Sequence, residues 1–563
     1  MSRPRLVVVG WDGADPDLAF RWAEAGELKN LKRLMDRGAW GPLASTTPPA
    51  TFPAWTSIFT GLGPGRHGIT DFTRPVPGAH ALRFVSANDR RGETLWQRLA
   101  RDGRRALVVA VPGTYPPDPI DGVFVSGFDG PVTTGIDPSF VHPRATWTKH
   151  RSRFRRFRFA DVQEMRVGPG WHERAIARLL VGLAEKASLI LDLAREVEPD
   201  LLVAVFGESD TASHHFWRFH DSASPRHDVD GGRRFGDAIL RVYRSLDAWL
   251  GQIIETAGPD ATVAVVSDHG FQGSSTVALH LDAALAEEGL LSWRDAAPHA
   301  RPLVLAREVA VSVLPAALQE RLFRLGGAAP AARLESASRY ASIDWTRTRA
   351  FADEVDYAPG VRIAVRGRDR DGTVAPGAEY QHALEQVAEA LLRLRDPRSG
   401  EPVVARVVPR EQVLRGPCAR FAPDLIVEPA SIGGYRVSCL RTPAPGVAPV
   451  TAIDPAVSFG AKGRGMDGVH RTSGVWVLAG PSVRAAGRIE DASVVDVLPT
   501  LLAAIGEPVP PSLDGQVRGQ ALASVATAAA HDRTAPPPPE PRWYARAAEQ
   551  RIERRMRALG YLE

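Results

Sequence analysis

The chain of 563 residues is long enough for two or more structural units, or for one large α/β domain carrying insertions. With 44% hydrophobic and 24% charged residues and a formal net charge of +4 it is ordinary globular material, and nothing in that balance points to nucleic acid. Its two cysteines, Cys418 and Cys439, have the spacing of neither a zinc knuckle nor a redox pair, so any metal must rest on His and carboxylate.

The opening "MSRPRLVVVGWDG" passes from a short basic start straight into a strand, and its apolar run is too short for a signal peptide. No later segment holds the ~20 apolar residues of a membrane span, so the expected location is cytoplasmic. Next comes "PATFPAWTS" at 49–57, which reads as a helix start with Pro53 in the first turn, Trp55, Ile58 and Phe59 inside and Gly61 as the stop. Thr51 stands at that N-terminus, where a hydroxyl can be a cap or an activated nucleophile. Short β-branched runs recur at 5–10, 105–111, 199–206, 261–267 and 473–480, each near-continuously apolar, as in a mainly parallel sheet buried on both faces. Helical periodicity at 174–197 and 236–258 supplies covering helices, the second with Ile239, Val242, Tyr243, Leu246, Leu250 and Ile253 on one face. The fold class is therefore α/β, a doubly wound, mainly parallel sheet with helices on both faces.

The expected division is a first part of the core at 1–272, an inserted cap or lid at 273–349, a smaller α/β portion at 350–450, the end of the core at 451–530, and a tail at 531–563. The cap is read from loss of strand rhythm after Gly273. In the smaller portion "GVRIAVRG" and "PDLIVEP" read as strands around the helix "EYQHALEQVAEALLRL", either a subdomain or an extension of the main sheet. The tail joins a proline-rich linker to a helix with Ile552, Met556 and Leu559 on one face and arginines on the other. Docking on its own subunit, or on a neighbouring one in a homo-oligomer, is the first reading, and a membrane-surface helix the second. The run "KHRSRFRRFRF" at 149–159 reads as a solvated face or as a neighbour of an anionic substrate.

Acidic and imidazole side chains follow the strands. Asp12 ends the first, Asp210 and His214 follow the third, Asp268 and His269 end the fourth, and His470 lies in a glycine-rich loop before the last. In an open parallel sheet ligands bind beyond the carboxyl ends of the strands, so these groups converge on one edge. Each alone is unremarkable, since Asp and His four apart is common on exposed helices and Ser-Asp-His-Gly can be a plain turn. Together they are the inventory for a pair of divalent metals, because charges gathered at a buried sheet edge are costly unless a cation neutralises them.

In this order, and with "DVLPTLLAAIGEPVPPSLDG" at 496–515, the sequence resembles the alkaline phosphatase superfamily and, within it, the type I phosphodiesterase/nucleotide pyrophosphatase family. The resemblance implies one metal on Asp12, Thr51, Asp268 and His269 and another on Asp210, His214 and His470, zinc first and manganese also suited. It implies in-line attack of the Thr51 alkoxide on the phosphorus of a small phosphate ester, a phosphothreonine intermediate, and its hydrolysis by water. Where nucleotide pyrophosphatases carry an Asn after their "HGI" motif, the count from Thr51 reaches Phe72, which argues against a nucleotide substrate. The pattern around "PAWTS" and "PGRHGITDF" is similar to the less characterised bacterial and archaeal branch, in which Thr114 and Tyr115 of "VPGTYPP" become candidate substrate contacts beside their reading as a turn. Phosphodiester hydrolysis is the expectation. A phosphomonoesterase, a phosphonate hydrolase, a phosphomutase and an inactive metal-stabilised binding protein are the alternatives, whereas a sulfatase lacks its Cys/Ser-x-Pro-x-Arg motif here.

Overall fold

The computed structural model describes residues 6–128, 135–160, 162, 167–294, 340, 342–456 and 466–524. Strand β1 (Leu6–Trp11) is buried at every position and lies inside a ten-stranded sheet. Alternation sends Val7 and Val9 to one face and Leu6 and Val8 to the other. The sheet's other principal strands are β2 (Ala39–Ala44), β3 (Ala106–Val109), β4 (Gly122–Val125), β5 (Leu201–Phe206), β6 (Thr262–Val266) and β9 (Ser473–Ala479). Their spatial order is β2, β9, β6, β1, β5, β3, β4, with short strands at Gly487–Arg488 and Val141–His142 on the edges. Strand β1 is parallel to β5 and β6, and β3 is parallel to β4 and β5, whereas β9 is antiparallel to both neighbours. This is the doubly wound, mainly parallel sheet expected from the apolar runs.

Helices cover both faces. On one, α2 (Trp171–Val197) and α4 (Ala238–Ala257) bring Leu183, Ile190, Val242 and Leu246 into the cluster that holds Val7 and Val9. On the other, α1 (Thr51–Thr60) and α5 (Val494–Ala504) bring Trp55, Ile58, Leu498 and Leu502 against Leu6 and Val8. Each such large side chain buried contributes roughly 1.5–3 kcal/mol, so the sheet face anchors the helices that start and end at its edge.

Beyond β6 the chain departs from the expected outline. Strand β7 (Gly270–Leu279) runs straight through the boundary read at Gly273, and its polar Gln272, Ser274 and Ser275 explain why no apolar strand rhythm marks it. It pairs with β8 (Gly468–Arg471), which holds His470 in a strand opposite Phe271 and not in a loop. A separate four-stranded sheet, in the order Ala350–Asp353, Gly360–Ile363, Leu425–Pro429, Val404–Pro409, forms within the smaller α/β portion, its core continuous with Val277 and Leu279 of β7. The helix Ala378–Arg393 lies with it. Most of the expected cap, the proline-rich linker and the terminal helix lie outside the described residues. The arginine-rich run forms helices Arg144–Lys149 and Arg151–Arg156 paired to acidic residues of α2, with Arg156 3.0 Å from Glu185 and Lys149 2.6 Å from Glu196. Among the described residues no helix is long and apolar enough to cross a membrane.

Candidate active site

Helix α1 begins at Thr51 itself, with Ala50 as a cap position that makes no side-chain bond and Gly61 closing the helix in a left-handed conformation. Thr51 therefore does not cap the helix. Its hydroxyl lies 3.4 Å from His269 Nε2 and is buried at the sheet edge. One turn on, Trp55 donates its indole N–H to Asp12 Oδ2 at 3.2 Å, so the helix that presents the hydroxyl also orients the first carboxylate.

Two groups of side chains adjoin there. Asp12, Asp268 and His269 offer ligand atoms all within 4.8 Å of one another, and so do Asp210, His269 and His470. His269 Nε2 is 3.3 Å from Asp268 Oδ2 and 3.7 Å from Asp12 Oδ1. Helix α3 (Glu208–His220) carries Asp210 and His214 on one face, with His214 Nε2 3.4 Å and His470 Nε2 3.3 Å from Asp210 Oδ1. All six metal-ligand candidates and Thr51 thus meet beyond the carboxyl ends of β1, β5 and β6, every one of them buried.

The donor set fits a cation. His214, His470 and His269 each turn Nδ1 to a backbone carbonyl, Gly468 at 2.8 Å, Pro49 at 2.9 Å and Gly270 at 3.2 Å. Those acceptors assign the proton to Nδ1 and leave the Nε2 lone pairs aimed at carboxylates and at one another, His214 to His470 at 3.1 Å. Lone pair facing lone pair is repulsive unless a positive ion stands between them. Asp268 Oδ2 is buried and accepts no hydrogen bond. Burial, then the neighbouring Asp12, pushes the Asp268 carboxyl well above the usual carboxylate range, and burial, then His470, pushes the His269 imidazole well down. A divalent ion would favour the ionised Asp268 carboxylate and the neutral His269 imidazole, the forms that coordinate it.

The tentative substrate contacts fare differently. Thr114 donates to Val111 O at 2.5 Å and accepts from Gly127 N at 3.1 Å, so its hydroxyl is taken up within its own loop. Tyr115 turns its hydroxyl to Ser139 Oγ at 3.1 Å and packs on Phe140. Both hydroxyls thus have partners within the protein, which fits the reading of a proline-flanked turn. Phe72 is half-buried over Phe52 at 4.3 Å between ring centres and meets the edge of Tyr357 at 5.3 Å. Tyr357 in turn stacks near His470 at 5.9 Å. Sequence reasoning missed Tyr357, which arrives from the smaller portion, and missed the polar use of Trp55, which periodicity marked only as core.

The family model for type I phosphodiesterase / nucleotide pyrophosphatase matches residues 6–438. Among solved structures the chain is similar to human ectonucleotide pyrophosphatase / phosphodiesterase 5, at 13% identity and a TM-score of 0.48, over 92% of this chain and 100% of that one. No curated protein matches it. With the family model spanning most of its length, the chain belongs to the type I phosphodiesterase/nucleotide pyrophosphatase family, and is a hydrolase of that phosphodiester-cleaving class.

Proposed function

We propose that the enzyme hydrolyses small phosphate esters, diesters in preference to monoesters, by forming a phosphothreonine on Thr51. Asp12, Thr51, Asp268 and His269 would hold one divalent ion and Asp210, His214 and His470 a second, with zinc suited first and manganese next. The observation that carries this reading is the inward set of Nε2 atoms facing three buried carboxylates beside one buried hydroxyl. When bound, the ions supply Lewis acidity that lowers the pKa of a hydroxyl and offsets charge on phosphoryl oxygens.

The chain's own groups do the rest. Thr51 Oγ1 forms the new bond to phosphorus as the ester oxygen leaves opposite it, and water later displaces the threonine oxygen and releases phosphate or a phosphomonoester. The start of α1, where Thr51 and Phe52 N–H have no partner within the helix, would favour negative charge on phosphoryl oxygens placed there. Phe72, packed on Phe52 next to Thr51 in sequence, and Tyr357, packed on Phe72 and His470, present aromatic surface and lack the amide of an Asn, which favours an aryl or lipid-like leaving group over a nucleotide pyrophosphate. The protein is taken to work in the cytoplasm.

Metal analysis together with p-nitrophenyl diester and monoester substrates tests the reading. Two ions per chain and faster diester turnover are expected. Monoester preference would favour a phosphomonoesterase, retention of phosphoryl groups on substrate a phosphomutase, and bound metal without turnover a binding protein.

A further inference from the structure

Lys186 lies in the middle of α2 and is 1% exposed, as is Glu208, to which its Nζ donates at 3.0 and 3.2 Å. The ammonium is otherwise walled by the rings of Phe157 and Phe206, at 5.9 and 5.4 Å. Taking both charges out of water is expensive, and a well-packed apolar pair of the same volume is often no less stable. What an ion pair adds over apolar contact is direction, since burial of apolar surface is insensitive to orientation.

Glu208 occupies the first turn of α3, two residues before Asp210. Two residues on a helix are separated by about 200°, so Glu208 projects from the side of α3 opposite the face shared by Asp210 and His214. Next to it, Ser209 Oγ donates to Asp12 O at 2.6 Å, and Asp12 N donates to Phe206 O at 2.9 Å. The turn from β5 into α3 is thus tied to the first carboxylate loop by these bonds and to α2 by one buried ionic contact. The cap position Gly207 contributes no side chain to that anchoring.

We propose that Lys186 is a positioning residue for the ion site formed by Asp210, His214 and His470, acting through Glu208 to fix the rotation and height of the first turn of α3. The inference rests on the two-ion reading above. Replacing Lys186 frees the back of α3, so the front face loses its fixed distance to His470 on β8, while Asp12, Asp268 and His269, in the loops after β1 and β6, keep theirs through Trp55 on Asp12 and Gly13 N–H on Asp268 Oδ1 at 3.1 Å.

The test titrates zinc into metal-free protein against a chromophoric chelator, alongside thermal unfolding of the metal-free form and kcat and KM for a p-nitrophenyl diester. Lys186→Met is expected to weaken one ion by about 10- to 100-fold, the range for outer-shell partners, and to lower kcat more than it raises KM. In an Asp210→Ala background the same change should leave the remaining ion's affinity untouched, and in an Asp268→Ala background it should weaken it. The double variant Lys186→Met/Glu208→Gln removes the stranded carboxylate. It should recover the thermal midpoint of wild type but not the second ion's affinity. The proposal is overturned if zinc affinity recovers along with the midpoint, if both ions weaken in parallel, or if neither changes. A wild-type protein that binds fewer than two ions would instead sink the reading on which the proposal rests.

Discussion

Thr51 is the first residue of its helix, and its hydroxyl makes no bond to that helix's own backbone but faces His269. Thr51→Ala removes the reacting atom and one ligand among several, so kcat should fall on the order of 10³-fold or more with metal content largely kept. Thr51→Ser keeps a hydroxyl and should retain part of the activity, and substantial turnover by the alanine variant would end the nucleophile assignment. Asp210→Ala and His470→Ala should each empty one ion site and leave the other, as mass spectrometry of the native protein would count. Two tightly held ions in both variants would refute the ligand assignment. Asp12, Asp268 and His269 directly follow strands and Asp210 and His214 open the helix after one, so sequence order shows them gathering at the edge where a parallel sheet brings distant segments together. Tyr357 was not legible, for its ring reaches His470 from another sheet and has no local pattern to announce it. Thr114 was legible only as a turn residue, since sequence alone does not show that its hydroxyl bonds Val111 O and Gly127 N.

Elements rather than single side chains set the distance between Thr51 and Asp12. Helix α1 lies flat on the sheet because Gly10 of β1 has no Cβ, and one added there would overlap the Trp55 ring and approach Val205 Cγ2 to 2.8 Å. Gly10→Ala should cost about 1–3 kcal/mol, as overpacking in a tight core does, and read as a lower denaturant midpoint. It should also weaken metal binding, since the displaced indole is the donor to Asp12. An unchanged midpoint would show that α1 shifts freely. The buried strands and long amphipathic helices of the core were readable from periodicity, because burial on both faces leaves continuous apolar runs. Strand β7 was not, since its exchange of partners among β8, Tyr435–Cys439 and Val450–Ala452 leaves polar residues inside and erases the alternation.

At the scale of the whole molecule, the smaller portion and the core meet beside His470, where Phe72 of the core packs against Tyr357 of the smaller portion. Tyr357→Ala should lower kcat/KM for an aryl diester by roughly 2- to 10-fold, the value of one aromatic contact, with a smaller change for a methyl ester. Phe72→Asn should move the ratio of nucleoside triphosphate to aryl diester turnover upward, and a wild type that strongly prefers the nucleotide, unmoved by the substitution, would refute the selectivity argument. The order of the main sheet has a further result. Strand β9 stands between β2 and β6, yet it is made roughly 200 residues after β6, which at cellular synthesis rates of about 5–20 residues per second is on the order of ten seconds or more. Throughout that interval the growing chain holds two unpaired strand edges with a gap between them, open to pairing with other chains. His470 emerges only three residues ahead of the strand that closes the gap. With His470 as the metal ligand proposed above, the last of the ion site and the strand that closes the sheet would emerge from the ribosome together.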